Sequence, residues 1–229
     1  MNQASRGKLY LVPTPIGNLE DVTLRALRIL KEVHLVLCED TRRAAILFQK
    51  FDIHTPRESF HDYNKFAKTP GIIEKLKQGQ SIAQISEAGT PGISDPGFYL
   101  ARKAIAESIP LEVLPGACAA IVALVGSGLP TDRFAFEGFL PAKKGRKSRL
   151  ETLKDDPRTL IFFEAPHRIK RTLTDLLETC GDRRAAWGRE LSKIHEEFVR
   201  GRLSDLLKHL EAHAARGEYT LIVEGKVRK

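Results

Sequence analysis

Two segments combine glycine, proline and small polar residues in a way that suits backbone recognition of a nucleoside. EAGTPGISDPG, residues 87–97, holds three glycines and two prolines within eleven positions. Glycine lets the main chain approach a ligand closely, and proline stiffens the loop. The segment lacks the G-K-[ST] of a phosphate-cradling P-loop and is not a G-x-G-x-x-G turn. PTPIGNLED, residues 13–21, has the same character, and Asp21 or Thr23 could cap the helix that follows, capping being the role expected of Asp21 rather than chemistry. Glu39-Asp40-Thr41-Arg42 sets two acids and a base together, although acids there would also complement a helix dipole. AKKGRKSR, residues 142–149, places five basic residues in eight positions and reads as a loop that meets phosphates. Arg42, Arg43, Arg168, Lys170, Arg171, Arg183 and Arg184 could extend that patch. His61 in HDYN and His167 in EAPHR lie in polar motifs, while His195 stands alone; the three lack metal-ligand spacing. No G-x-S-x-G supports hydrolysis by a serine.

The elements that must hold these segments alternate between strand and helix. Apolar runs at 8–12, 34–38, 81–86 and 111–115 predict strands, and helical spacing predicts helices over 22–31, 41–51, 64–78 and 98–108, with Thr41 a candidate cap for the second. A β-α-β-α order predicts a mainly parallel sheet covered by helices. In such sheets ligands bind beyond the carboxyl ends of the strands, which is where both proline- and glycine-rich segments fall. The second half reads differently: a small-residue helix over 116–128, a strand at 159–164, a helix over 165–181, strands at 185–191, 196–201 and 219–225, and a helix over 203–215 between the last two. The expected division is 1–115 and 116–229.

Composition sets the outer limits. The 229 residues are 42% hydrophobic and 29% charged, enough for a core without disulfide staples. A surplus of 37 Lys and Arg over 29 Asp and Glu gives +8, which favours nucleic acid, anionic lipid or acidic ligands as partners. Aromatics, at 7%, are too few for a base-stacking sheet, and Trp187 and the phenylalanines are expected in the core. Cys38, Cys118 and Cys180 are scattered and odd in number, which argues against a disulfide framework or zinc site and fits a reducing cytosol. The opening residues show no secretory pattern, and no apolar run approaches the ~20 residues a bilayer span needs.

LVPTPIGNLEDVTLRAL, LCEDTRRAAILF, HDYN, ISEAGTPGISDPG, PGACAAIVAL, GLPTDRFAFEGFLPAKKGRKSRL, RTLIFFEAPHRI, GRELSKIHEEFVRG and GEYTLIVEG resemble, in this order, segments of the ribosomal RNA small-subunit methyltransferase I family in the tetrapyrrole-methylase-like superfamily. The resemblance runs from residue 8 to residue 225. It implies two α/β domains, the first with a mainly parallel sheet and the second with a mixed one, and S-adenosylmethionine in a cleft between them. It also implies a cytoplasmic homodimer that methylates the 2′-hydroxyl of a cytidine in the decoding region of 16S ribosomal RNA, with no metal and no membrane. On that analogy Pro13, Thr14, Pro15 and Gly17, then Glu87, Ala88, Gly89, Thr90, Ser94 and Asp95, bind the cofactor. Gly116, Ala117 and Ala119, with Phe163 and Ala165, complete the pocket. Asp40, His61, Asp95 and Glu164 are candidates for base or orienter. Arg42, Arg43, Lys143, Lys144, Arg146, Lys147, Arg149, Arg168 and Arg189 are candidates for holding RNA. Glu87 stands where relatives usually carry Asp, Ala117 replaces a usual Pro, and many relatives continue beyond IVEG into a helical extension. Two other readings are a carbon methyltransferase acting on a tetrapyrrole, which the basic loop disfavours, and an RNA-binding assembly factor without catalysis.

Overall fold

A computed structural model describes residues 6–95 and 97–226, so Pro96 of the second glycine-rich segment lies outside the described residues. The chain divides into two compact units, Met1–Cys118 and Ala119–Lys229.

The first unit is built on a five-stranded sheet. Its strands are β1 (Leu9–Val12), β2 (Leu35–Cys38), β3 (Arg57–Ser59), β4 (Ile82–Ile85) and β5 (Leu111–Val113), in the order β3-β2-β4-β1-β5. Every pairing is parallel, with Leu9 opposite both Ile82 and Leu111. The helices are α1 (Leu24–Glu32), α2 (Thr41–Lys50), α3 (Lys65–Lys77) and α4 (Gly97–Ala106). Connections β1–β2 and β2–β3 run one way along the sheet, and β3–β4 and β4–β5 run the other. Right-handed crossovers therefore put α1 and α2 on one face and α3 and α4 on the opposite face. Packing agrees: Ala26, Ile29, Leu30, Ala44, Leu47 and Phe48 share one core cluster, and Ile72, Ile73, Leu76, Leu100 and Ala104 another. β1 and β4 are neighbours whose chains leave in opposite directions, so a crevice opens between their carboxyl ends.

Helix starts differ in detail from the sequence expectation. Of the two candidate caps Thr23 holds α1, its Oγ1 accepting the Ala26 N–H at 3.0 Å, while Asp21 closes a short 3₁₀ turn over Leu19–Asp21. Asp40, not Thr41, caps α2 by accepting the Arg42 N–H at 2.8 Å. Strand β3 had no counterpart in the sequence reading.

The second unit has a mixed sheet of β6 (Phe134–Phe139), β7 (Thr159–Glu164), β8 (Arg184–Arg189), β9 (Glu197–Arg202) and β10 (Tyr219–Val223), in the order β6-β7-β10-β8-β9. Only the β6–β7 pair is parallel. Helix α5 (Ala119–Ser127) packs on β7, β8, β9 and β10. Helices α6 (Arg146–Leu153), α7 (Pro166–Cys180) and α8 (Leu203–Ala212) share a core with Leu160, Phe162, Trp187 and Leu221. The basic segment is thus a loop only through Gly145; its second half opens α6. Among the described residues no helix is long and apolar enough to cross a membrane.

Candidate active site

In the first unit the segments after β1, β4 and β5 are tied into one structure. Thr14 and Gly89 exchange two backbone hydrogen bonds of 3.0 Å, closing an isolated bridge across the crevice. The buried Thr14 hydroxyl donates to the Ser86 carbonyl at 3.2 Å, and the Ser86 hydroxyl to the Gly89 carbonyl at 2.8 Å. Thr90 Oγ1 donates to the Ala117 carbonyl at 3.0 Å. That bond uses main chain that any residue at 117 would supply, so alanine in place of proline leaves it in place. Gly89 has φ +85°, a conformation that favours glycine. Gly116 lies so close to Pro13 that an added Cβ would sit 2.5 Å from the ring's own Cβ. Pro13, Thr14, Gly89, Thr90, Gly116 and Ala117 are therefore one rigid cradle.

A cavity of about 340 Å³ opens beside it, walled by Thr14, Pro15, Ser86 and Glu87 on one side and by Glu39, Asp40 and Arg43 on the other. Its lip is acidic. Burial pushes the Glu39 carboxyl up, and the neighbouring Asp95 and Glu87 push it the same way. Glu87 itself pairs with Arg43. Cys38 lines the same cavity with its thiol pushed up to about 11 by burial, so it is neutral near pH 7 and no nucleophile. Sequence singles out Glu39 only within Glu39-Asp40-Thr41-Arg42 and assigns it no role of its own in the site. Its signal was its place at the end of β2, next to the crevice, but the adjoining helix start offered a sufficient reason for an acid there.

The candidate bases fare unequally. Asp40 is corrected to a structural role. It caps α2, its carboxylate is held by the Arg42 guanidinium at 2.8 and 3.1 Å, and that pairing draws its pKa down to about 2. A carboxylate so stabilised is too weak a base to take a hydroxyl proton. Glu164 is likewise corrected. Its side chain, fully buried in the second unit, accepts from Thr172 Oγ1 at 2.6 Å and the Ala165 N–H at 3.0 Å and pairs with Arg168 at 3.2 Å. His61 is held by Asn64, whose Oδ1 accepts the His61 N–H at 2.9 Å and whose Nδ2 reaches the Ser59 carbonyl at 3.2 Å and His61 Nε2 at 3.1 Å. With the amide oriented this way, Nε2 accepts and Nδ1 carries the proton of the neutral ring. That Nδ1 is buried with no protein partner among the described residues.

Asp95 staples its own loop: Oδ1 accepts from Gly92 N at 2.6 Å and from Gly97 N at 2.7 Å. Burial raises its pKa against the opposing pull of those two bonds. An amide oxygen can accept both bonds as well. Asp95→Asn is therefore expected to keep cofactor affinity and turnover within about threefold. Asp95→Ala, losing bonds worth about 1–3 kcal/mol, is expected to weaken cofactor binding tenfold or more in titration calorimetry. Loss of turnover in Asp95→Asn with affinity intact would instead make the carboxylate a proton carrier.

The expected RNA contacts also sort into two groups. Arg146 is corrected: only 4% of its side chain is exposed, bonded to Asp175 at 2.6 Å, Thr172 at 2.8 Å and the Pro141 carbonyl at 3.2 Å. Arg149 pairs with Glu137, Arg168 with Glu164, Arg42 with Asp40 and Arg189 with Glu197. Lys143, Lys144 and Lys147 are exposed and make no ion pair among the described residues. Of the remaining expected residues, Gly17, Ala88 and Ser94 are exposed on the first unit's loops, Ala119 opens α5, and Phe163 and Ala165 mark the end of β7. Among the described residues no cluster of His, Cys, Asp and Glu could hold a metal ion.

The family model of Tetrapyrrole (Corrin/Porphyrin) Methylases matches residues 8–207. A Pseudomonas aeruginosa protein, Ribosomal RNA small subunit methyltransferase I, is 49% identical, over 96% of this chain and 80% of that one. The chain belongs to the ribosomal RNA small subunit methyltransferase I family of tetrapyrrole methylases. The Thermotoga maritima member is 45% identical over 96% of this chain and 99% of its own. Uroporphyrin-III-C-methyltransferase from Thermus thermophilus has the same architecture, with a TM-score of 0.69 at 25% identity over 96% of this chain and 94% of that one. Diphthine synthase shares the fold at a TM-score of 0.75 and 14% identity. Membership in this family makes the chain a methyltransferase, with the cradle at the crevice of its parallel sheet.

Proposed function

We propose that this protein transfers the methyl group of S-adenosylmethionine to the ribose 2′-hydroxyl of a cytidine in 16S ribosomal RNA, within the small subunit, as a cytoplasmic homodimer. The observation that carries the reading is sequence identity near one half, over nearly the whole chain, with relatives named for small-subunit ribosomal RNA. The likeness to the tetrapyrrole enzyme is half as strong.

The cradle suits the cofactor on physical grounds. The cavity beside it falls in the volume range of small-ligand sites, and the cradle's backbone at Thr14, Gly89 and Gly116 can meet a nucleoside closely. The acidic lip of Glu39 and Glu87 complements a ligand that carries a sulfonium and an ammonium. S-adenosylmethionine, when bound, supplies an electrophilic methyl group on that sulfonium. The chain's task is to bring a ribose oxygen into line with it, and alignment of this kind can supply up to ~7–11 kcal/mol of the barrier. The hydroxyl proton becomes strongly acidic as the carbon–oxygen bond forms, so it can leave to water. This agrees with the capping and network roles of Asp40 and Glu164.

In this reading the exposed Lys143, Lys144 and Lys147 meet the RNA backbone. The combined change of all three to Glu is expected to raise KM for small subunits at least tenfold. It should also flatten the slope of log affinity against log salt by about 2 to 3, since each phosphate contact contributes ~0.7–0.9. An unchanged slope in a filter-binding salt series would remove them from the interface. The reading as a whole is tested by offering labelled cofactor with small subunits, or with a uroporphyrinogen, to the purified protein. Label in RNA is expected; label in the tetrapyrrole alone would reverse the assignment.

A further inference from the structure

GRELSKIHEEFVRG and GEYTLIVEG are among the motifs that take no part in the cradle. Within the second unit they come together around a separate cavity of about 580 Å³, large enough for a nucleotide. Its inner wall is Trp187 and Tyr219, both buried and set edge-to-face at 5.4 Å. Its outer wall carries three imidazoles, of His195, His209 and His213, with the guanidinium groups of Arg189 and Arg216.

One side of this cavity is unusually rigid. Glu190 and Ser192 hold positive φ values of 50° and 63°, which non-glycine residues rarely adopt. The Glu190 carboxylate fixes the turn by accepting from Glu218 N and Lys193 Nζ, both at 2.9 Å. Gly217 packs against it so closely that an added Cβ would lie 2.5 Å from the Glu190 side chain. Backbone strain of this sort persists where surrounding structure over-determines it, and it clusters at ligand sites.

The four charged side chains of the wall, Arg189, Glu190, Glu197 and Arg216, sum to zero but are unevenly paired. Glu190 is taken up by Lys193 and the Glu218 N–H, and Glu197 by Arg189 at 2.9 Å, with His209 at 3.7 Å. Arg216 is exposed and makes no ion pair among the described residues, with His195 and His213 exposed beside it. The His209 and His213 rings are stacked, 4.3 Å apart and 21° from parallel, and His213 is the exposed member. A stacked imidazole can extend its stack to an unpaired base, and a free guanidinium suits a phosphate.

We propose that this cavity is a second nucleotide subsite: it holds an unpaired residue of the RNA substrate, its phosphate on Arg216 and its base on His213. The proposal rests on the RNA reading above and adds to it a docking point outside the cradle. Trp187 is the chain's only tryptophan and lies fully buried behind His209, whose ring stands edge-on 5.5 Å away, so its fluorescence reports occupancy through that imidazole. The test titrates the protein with a five-nucleotide single-stranded RNA, with cytidine monophosphate and with inorganic phosphate, alongside Arg216→Glu/His213→Ala, a double change at two exposed positions. Saturable emission changes are expected with the RNA and the nucleotide. The double variant should bind the RNA at least tenfold more weakly and raise KM for small subunits, while its S-adenosylmethionine affinity by calorimetry matches the parent as a check of folding. A flat titration, a response to phosphate alone, or equal RNA affinity in the variant would overturn the subsite. Saturable RNA binding here, lost in the variant, together with no methyl transfer to small subunits, would keep the subsite and sink the enzymatic reading instead.

Discussion

Glu164→Ala is expected to lower unfolding stability by about 3–5 kcal/mol, the largest loss foreseen for any single change in the second unit. The cause is a buried network. The Glu164 carboxylate joins Thr172, the Ala165 N–H and Arg168, and Thr172 passes the connection on to Arg146 and Asp175. Arg146 retains only 4% side-chain exposure; Asp175 compensates its charge and Thr172 links it to Glu164. Removing the carboxylate leaves the buried Thr172 hydroxyl and the Ala165 N–H without their acceptor and Arg168 without its carboxylate, each buried orphan costing about 1–3 kcal/mol. Glu164→Gln keeps one acceptor oxygen, for the Ala165 N–H, and offers Thr172 Oγ1 an amide donor in place of an acceptor, so it should lose less. Urea midpoints of the three proteins decide the matter. Equal midpoints would mean that the network carries no stability, and Glu164 would return as a chemical candidate.

Gly116→Ala is expected to weaken S-adenosylmethionine binding by tenfold or more while the protein stays folded. The new Cβ would lie 2.5 and 2.9 Å from Cβ and Cγ of Pro13. A proline ring cannot rotate away, so the segments after β1 and β5 must part. Overpacking of this kind costs about 1–3 kcal/mol, and 1.4 kcal/mol is tenfold in affinity. Gly71→Ala supplies the contrast. Nothing lies within 4 Å of its added Cβ inside α3, so it should stabilise the helix by up to ~1 kcal/mol and leave the cofactor untouched. Calorimetry showing equal affinity in Gly116→Ala would mean that the cradle does not hold the cofactor.

Much of this architecture is legible in the residues because its signals are local. Apolar runs followed by proline and glycine mark the ends of β1 and β4, and the resulting bridge between Thr14 and Gly89 lies where those runs point. What escaped was set by distant partners or by weak patterning. Strand β3 is the polar triplet Arg57-Glu58-Ser59 on a sheet edge, paired only with β2, and it has no apolar alternation to betray it. Helix α6 begins inside a run of charges whose only buried apolar residues are Leu150 and Leu153. Arg146 reads as one more surface cation until Asp175, on the next helix, is seen beside it. Asp40 reads equally as a base or a cap from sequence, and only the clasp of Arg42 decides. Glu39 draws its raised pKa from burial and from Asp95 and Glu87, acids brought to it by the order of the strands.

The central claim is the reaction itself, and the product nucleoside tests it most directly. Small subunits from cells lacking this protein would be incubated with it and labelled S-adenosylmethionine, the RNA digested to nucleosides, and the label identified by mass spectrometry. The account predicts label in 2′-O-methylcytidine at a single site of the small-subunit RNA. Label on a base, or no label in RNA while the protein demonstrably binds the cofactor, would contradict it.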